Sequence, residues 1–278
     1  MRSVKKTVRG RGTVDGAGVN LVRVLSRGTV EDFDPFLMLD SFDSRNPEDY
    51  VAGFPTHPHR GIETITYLIE GQIEHQDSLG HKGLISGGSS QWMTAGSGIM
   101  HQEMPLAAPR MLGLQIWLNL PQAEKMVPPT YRSLDAIPTA KTDHAEIRVI
   151  SGSYGAVQGF SPAHVKATLY DVLVEPGRTA ELETNPDENV FIFLIEGEAL
   201  VDGQTIAEKT AVLFGPGRLV KVEAPAQAPS RFIFFSAPPL RESVAWNGPI
   251  VMNTEEELER TFAELRNGEF IKSAATGR

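Results

Sequence analysis

The sequence predicts an all-β protein made of two tandem barrels followed by a short C-terminal helix. The 26 glycines and 19 prolines of this 278-residue chain separate short runs of Val, Ile, Leu, Thr and Phe, which is typical of many short strands and turns. The string LIEG occurs at residues 68–71 and again at 194–197, an offset close to half of the chain, which indicates a duplicated unit. One segment near the C-terminus has helical periodicity instead.

The strands are predicted from apolar and β-branched runs that glycine, proline or polar residues interrupt. Each copy of LIEG is interpreted as a strand, a Glu-Gly turn and a second strand, as in a hairpin. The predicted strands are residues 19–25, 62–69, 72–76, 112–118, 146–150, 167–174, 190–195, 198–202, 211–214 and 231–236.

The helix is predicted from its caps and its apolar stripe. Thr254 is the candidate N-cap, and Glu257 three residues later completes a capping box. Gly268 is the candidate C-terminal stop. The apolar stripe between these ends, which we expect to pack on a β domain, follows at i, i+4 and i+7 with Leu258, Phe262 and Leu265.

Two domains follow from the repeat. Residues 121–138 contain four prolines and little periodicity, so they are interpreted as an extended inter-domain connection. We therefore predict an N-terminal barrel over 1–132, and a C-terminal barrel with the helix over 133–278.

Composition excludes several classes of protein. The chain has no cysteine, which rules out disulfides, thiolate metal sites, Fe–S clusters and cysteine nucleophiles. No apolar run approaches the roughly 18 residues that a membrane span needs. The basic residues 1–12 are not followed by the apolar core of a secretory signal, and the net charge is -9. We expect a cytoplasmic monomer without direct nucleic-acid or membrane contact.

Two pairs of residues have the spacing of metal ligands. His57 and His59 flank Pro58, and alternate residues of a strand share a face, with Cα atoms about 6.6 Å apart at about 3.3 Å per residue. His101 and Glu103 repeat this spacing after a glycine-rich turn. Three neutral imidazoles and one carboxylate with open positions suit Fe(II), Mn(II), Co(II), Ni(II) or Cu(II) better than Ca or Mg. We therefore expect the N-terminal barrel to bind the metal. The repeat offset maps His57 onto Glu183 and His59 onto Asn185, so we expect the C-terminal barrel to be metal-free.

Other polar residues leave alternatives open. If no bulge intervenes, Glu63 shares the face of His57 and His59, whereas the opposite face carries a solvent-like mixture of Arg60, Thr64 and Thr66. The polar hairpin region EHQDSLGHKG contains His75 and His81, both of which we expect to be solvent-exposed.

The strings DPFLMLDSF, HPHRGIETITYLIEG and MTAGSGIMHQE resemble the pirin family of the cupin superfamily. The resemblance implies two cupin barrels, each a double-stranded β-helix or jelly-roll, and one mononuclear metal, most often iron, in the N-terminal barrel. Ni, Mn, Co, Cu and Zn are the other ions considered. By the same resemblance the metal ligands are His57, His59, His101 and Glu103, whereas the general cupin pattern nominates Glu63.

The resemblance also implies a function. Some pirins are similar to flavonol 2,3-dioxygenases, so we expect quercetin 2,3-dioxygenase-type ring cleavage of a small aromatic substrate with O2, and Glu103 as ligand and base. The alternative is a non-enzymatic, redox-sensing regulatory protein that binds a transcriptional or metabolic partner, with a candidate contact surface at Glu255, Glu256 and Glu259. Residues considered for the pocket lining or the core are Ile65, Tyr67, Met93, Met100, Met104 and Trp117.

Overall fold

The structure, a computed structural model, describes residues 1–272 and consists mainly of β-strands. The strands are β1 Val4–Arg9, β2 Arg11–Asp15, β3 Val19–Leu25, β4 Phe36–Ser44, β5 Phe54–His59, β6 Ile62–Glu70, β7 Gln72–Asp77, β8 Lys82–Ser86, β9 Ser90–Thr94, β10 Ile99–Leu106, β11 Met111–Asn119, β12 Thr130–Leu134, β13 Thr139–Lys141, β14 Ala145–Ser151, β15 Ser153–Tyr154, β16 Val157–Gln158, β17 Thr168–Val174, β18 Thr179–Glu183, β19 Asn189–Glu196, β20 Glu198–Val201, β21 Gln204–Ala207, β22 Thr210–Phe214, β23 Leu219–Glu223, β24 Ser230–Ala237, β25 Ala245–Asn247 and β26 Ile250–Met252.

The helices are short. In the part of the chain that the structure describes, the α-helices are α1 Val30–Phe33 and α2 Glu255–Asn267, and single 3-10 turns cover Arg27–Thr29, Pro47–Asp49 and Gln122–Glu124. Over residues 1–272, no helix has the length and apolar character that crossing a membrane requires. The predicted all-β class with a C-terminal helix is confirmed, and each of the ten predicted strands coincides with an observed one.

The α2 helix begins and ends as its sequence predicts. The Thr254 side chain accepts from the backbone N–H of Glu257, and the Glu257 side chain accepts from the backbone N–H of Thr254. Gly268 has a left-handed φ of 74°, which a glycine adopts without the steric cost that other residues have.

One unit of the chain, which we call the N-terminal barrel unit, comprises Gly12–Arg27, Phe36–Ala136 and Leu240–Arg278. Its large sheet has the order β12-β9-β6-β11-β4-β3-β2, its small sheet the order β5-β10-β7-β8, and β25 pairs with β26. The ladders of β10 with β5 and β7, and of β11 with β6, are antiparallel. Successive side chains of each strand point to opposite faces of its sheet. Leu68, Ile73 and Met111 lie in one of its buried clusters.

The other unit, the C-terminal barrel unit, comprises Met1–Arg11, Gly28–Pro35 and Ile137–Pro239. Its sheets have the orders β1-β22-β19-β24-β17-β14-β13 and β18-β23-β20-β21. Apolar side chains such as Ile147, Val172 and Phe232 fill its interior. Glu183 and Asn185, which the repeat aligns with the histidine pair, are exposed.

The two ends of the chain belong to units other than those predicted from sequence, where residues 1–132 form one domain and 133–278 the other. That boundary falls inside β12, which pairs with β9, so the stretch 121–138 is only partly a connection. The N-terminal strand β1 pairs with β22, whereas residues from Leu240 onwards group with the N-terminal barrel unit. Hydrogen bonds between strands that are far apart in sequence contribute to this grouping. The composition of consecutive residues therefore does not predict it.

Candidate metal centre

The small sheet of the N-terminal barrel unit brings the predicted ligand residues together. Strand β10 lies between β5 and β7, with His101 opposite His57 on one side and opposite Asp77 on the other. Along β10 the burial alternates, so His101 and Glu103 are buried and Gln102 is half-buried. The turn before β10 is closed by a hydrogen bond from the N–H of Gly98 to the carbonyl of Ala95 at 3.0 Å.

The three predicted histidines form one compact group. Their ligand atoms lie within 4.8 Å of one another. The ring centroids of His57 and His101 are 4.4 Å apart, those of His57 and His59 4.8 Å, and those of His59 and His101 5.0 Å. His59 and His101 are buried, and His57 is half-buried at the edge of the group.

Backbone carbonyls set the tautomers of two of these rings. Nδ1 of His57 lies 2.9 Å from the carbonyl oxygen of Pro55, and Nδ1 of His59 lies 3.0 Å from that of Pro249. A carbonyl only accepts, so each Nδ1 carries the proton and each Nε2 presents a lone pair. The two Nε2 atoms are 3.1 Å apart, an arrangement that suits two nitrogens sharing one cation.

His101 supports the same conclusion. Within residues 1–272, neither of its ring nitrogens has a hydrogen-bond partner, although both atoms are buried. A buried nitrogen without a partner costs free energy unless a ligand satisfies it. The donor set of three imidazoles, with one carboxylate nearby, therefore fits a transition-metal ion.

The electrostatics keep the imidazoles of His59 and His101 neutral. Burial lowers the pKa of His59 to about 3, helped by the neighbouring His57 and opposed by the Pro249 carbonyl. Burial also lowers the pKa of His101 well below its ordinary value, and the other imidazoles of the group act in the same direction. Because metals bind the neutral ring, little proton release is needed at neutral pH.

Glu103 is held by hydroxyl and amide donors. Its Oε1 accepts from Oγ1 of Thr66 at 2.7 Å and from Nε2 of Gln91 at 2.7 Å. Gln115 lies 2.7 Å from the same Thr66 hydroxyl. Thr66, Gln91 and Gln115, which we call the cradle around Glu103, were not identified from the sequence. The available signal is the pair of polar residues Thr64 and Thr66 next to apolar residues of β6. Glu103 groups within 4.8 Å with His75 and His101, and lies outside the group of the three predicted histidines.

The expected exposure of several polar residues is wrong. Arg60, Thr64 and Thr66 are all buried. Thr64 and Thr66 are buried because β6 lies inside its sheet and both of its faces are covered, so neither parity faces solvent. Glu63 is also buried, and its Oε1 accepts from Oγ1 of Thr94 at 2.7 Å. It belongs to neither donor group found among residues 1–272.

His75 is buried, whereas exposure was expected. Its Nε2 lies 3.2 Å from Oδ2 of Asp77, and its ring stacks on Tyr131 with centroids 4.7 Å apart. Its Nδ1 is buried and has no hydrogen-bond partner in the described part of the chain. His81 is 40% exposed at its side chain and contacts Asp77 at 3.0 Å. Ile73 shares the strand face of His75, and this apolar parity is the signal that indicates burial.

A cavity of about 760 Å³ opens beside the histidine group. His57, His59 and Glu103 line it together with aromatic side chains, among them Trp117 and Trp246. The ring of His59 meets Trp117 edge-on at 4.9 Å, and the two tryptophans are 5.7 Å apart. Of the six apolar residues considered from sequence, Trp117 lines this cavity, whereas Ile65, Tyr67 and Met93 are core.

Part of the cavity lining is polar, and sequence reasoning missed it. Arg23 donates to both carboxylate oxygens of Asp40, at 2.9 and 2.7 Å, and to Asp15 at 2.6 Å. Burial raises the pKa of Asp40, while the Arg23 hydrogen bonds oppose that shift. Apolar walls with a few polar groups are typical of small-molecule sites of this size.

Comparisons with known proteins agree with this architecture. The family model described as Pirin matches residues 18–118, and the Pirin C-terminal cupin domain matches residues 169–271. A pirin-like protein from Caulobacter vibrioides is 41% identical over 276 residues, covering 97% of this chain and 99% of the relative.

Two solved structures are similar to the chain. Quercetin 2,3-dioxygenase from Acinetobacter baumannii has a TM-score of 0.88 at 27% identity, covering 97% of this chain and 98% of that one. A bacterial pirin from Escherichia coli, solved in complex with nickel(II), has a TM-score of 0.65 at 21% identity, covering 84% and 99% respectively, and this likeness shows the fold alone. From the two family models and the full-length relative, we conclude that the chain belongs to the pirin family.

Proposed function

We propose that the chain is a mononuclear-metal dioxygenase of the quercetin 2,3-dioxygenase type. The observation that carries this proposal is the group of three imidazoles beside an aromatic-walled cavity of about 760 Å³. The similarity to a solved quercetin 2,3-dioxygenase supports the same reaction class. The substrate class is a small flavonol-like aromatic, and O2 is the co-substrate.

In this proposal His57, His59, His101 and Glu103 hold one divalent transition ion. Fe(II) is our first choice, and Ni, Mn, Co, Cu and Zn are compatible with the same mixed nitrogen and oxygen donors. Glu103 follows His101 on the buried face of β10 and lines the cavity with His57 and His59, so it is the fourth donor. When bound, the ion supplies Lewis acidity and redox chemistry towards a flavonol and O2.

The side chains of this chain perform the remaining tasks. Trp117 and Trp246 hold a planar aromatic ring against the histidine group and keep water away from it. The carboxylate of Glu103 accepts the proton of the substrate's hydroxyl group, and its hydrogen bonds from Thr66 and Gln91 hold it in place for that transfer. Glu103 is therefore proposed as both ligand and base.

One experiment tests the proposal. The purified protein is loaded separately with Fe(II), Ni(II) and Co(II), and oxygen consumption is measured together with the loss of flavonol absorbance. We expect turnover that His59→Ala abolishes. The matched control is His144→Ala, because His144 is an exposed histidine of the C-terminal barrel unit. A metal-loaded protein that is inert towards a panel of flavonols and related enediols would contradict the proposal and favour the regulatory alternative.

A further inference from the structure

The end of the chain packs on the turns that carry the candidate ligands. We call residues 245–270 the C-terminal segment; it contains β25, β26 and α2. Its residues Ile250, Leu258 and Phe270 form a buried cluster, against which Met100 of β10 packs. The family model for the C-terminal cupin domain includes this segment, yet its contacts lie in the N-terminal barrel unit.

Two glycines allow the backbones to approach closely. Gly61 follows His59 and has a φ of 78°, and a Cβ there would lie 1.9 Å from the carbonyl oxygen of Val251. Gly98 precedes His101 and has a φ of 137°, and a Cβ there would lie 3.0 Å from the carbonyl oxygen of Phe270. Both ligand-bearing turns are thus in direct backbone contact with the C-terminal segment.

The buried guanidinium of Arg60 joins both ligand-bearing turns to the C-terminal segment. Nε donates to the carbonyl of Ser97 at 2.7 Å. Nη1 donates to Oγ1 of Thr261 at 3.1 Å and to Oε2 of Glu264 at 2.7 Å, and Nη2 donates to the carbonyl of Phe270 at 2.9 Å. The guanidinium carbon lies 4.5 Å from the centroid of the Phe270 ring. A lysine cannot reproduce this set of bonds, because only the planar guanidinium presents several N–H donors in fixed directions, as a fork.

Lys125 provides a second link. Its buried ammonium group donates to the carbonyl of Gly61 at 2.8 Å and to the carbonyl of Val251 at 3.1 Å. The hairpin of β25 and β26 also supplies the Pro249 carbonyl that accepts from Nδ1 of His59 at 3.0 Å. A partner on the second ring nitrogen orients a metal-binding imidazole, and losing such a partner commonly weakens metal binding about 10- to 100-fold.

We propose that the C-terminal segment is a positioning element of the metal centre, and that Arg60 is the positioning residue that ties it to both ligand-bearing turns. The segment aligns His59 through Pro249 and fixes the start of β10, and with it His101, through the Arg60 bond to Ser97. This inference rests on the proposed metal site and not on dioxygenase activity.

Metal binding by the full-length protein tests the inference without any substrate. Co(II) affinity is measured by competition with a chelator, and the visible spectrum of the Co(II) form reports the ligand geometry. The variants are Arg60→Lys, which keeps the charge but loses the fork, and Glu264→Gln, which weakens one anchor on α2. The matched control is Glu259→Gln, the same change at an exposed position of α2. Val222→Ala, in the core of the C-terminal barrel unit, controls for lost stability alone.

We expect Arg60→Lys to weaken Co(II) binding about tenfold or more and to alter the spectrum, and Glu264→Gln to change both in the same direction by less. Glu259→Gln and Val222→Ala should bind Co(II) as the unaltered protein does. If Arg60→Lys does not fold, the Co(II) affinity and spectrum of Glu264→Gln test the inference. Unchanged affinity and spectrum in the folded variants would overturn the inference. If the unaltered protein binds Co(II) but degrades no flavonol, only the proposed dioxygenase activity is refuted. If it binds no Co(II), both that activity and the positioning role of the C-terminal segment are refuted.

Discussion

Replacing Thr66 by valine isolates the contribution of the cradle around Glu103. Thr66 is fully buried, and its hydroxyl lies 2.7 Å from the Glu103 carboxylate. A hydroxyl has one proton, so we assign it to Glu103 and turn the Gln115 amide so that its NH2 donates to Thr66. Valine keeps the β-branched shape and removes only the hydrogen bonds.

The magnitude follows from the charge of the acceptor. A hydrogen bond to a charged group contributes about 1.5–3 kcal/mol, and the amides of Gln91 and Gln115 each lose a partner in the variant. We expect the free energy of unfolding of the metal-free protein to fall by about 2 kcal/mol. We also expect the affinity for a divalent metal to fall about tenfold or more, because Glu103 loses an orienting partner.

Thr64→Val is the matched control. Thr64 is on the same strand and is also fully buried, but its hydroxyl has no hydrogen-bond partner among the residues that the structure describes. Removing that hydroxyl should leave stability unchanged or raise it, and should leave metal affinity unchanged. Urea unfolding and chelator competition measure the two quantities. The reasoning is refuted if the two variants behave alike.

Three further predictions concern the cavity, the histidines and the helix. Trp246→Ala should weaken flavonol binding about two- to tenfold by removing an aromatic wall, whereas Trp246→Phe should retain most of it; titration of the metal-loaded protein with the flavonol distinguishes them. The metal-free protein should lose stability as the pH falls from about 6.5 towards 3, since the unfolded chain protonates His59 in this window and the folded chain does not. At pH 5 the loss from His59 alone is about 2 kcal/mol, and an acid-unfolding series in which His59→Ala shows the same slope would contradict this. Thr254→Ala should lower the free energy of unfolding by about 1 kcal/mol through loss of the cap, and an unchanged denaturation midpoint would disprove the capping argument.

Features that depend on neighbours in sequence were predictable. The capping box of Thr254 and Glu257 and the stop at Gly268 are local hydrogen-bond and backbone properties, and the structure has them where the pattern places them. The two-residue spacing of His101 and Glu103 puts both side chains on the buried face of β10 because strand residues alternate. The family resemblance was also predictable from the sequence, because each of the motifs that carry it is a run of consecutive residues.

Features that depend on sheet partners were not predictable. Counting alternate residues from His59 through Gly61 into β6 assigned Thr66 to the solvent face, and the structure shows that this count crosses from one sheet to another. His75 lies opposite Glu103 because β7 pairs with β10 in that register, which no local pattern reports. The assignment of all four ligands to one ion stays a prediction that metal binding has to test.

The amino-acid order by itself determined the kind of elements, the shared face of His101 and Glu103 on β10, and the chemistry of the donors at 57, 59, 101 and 103. Only the tertiary structure decided which strands lie side by side, that Pro249 and Arg60 connect the end of the chain to the histidine turns, and that Thr66 and Gln91 hold Glu103. The physical reason is the range of the interactions. Alternation and capping act over a few residues, whereas many apolar strands of similar composition compete for the same neighbours, and only the packing of the whole core selects among them.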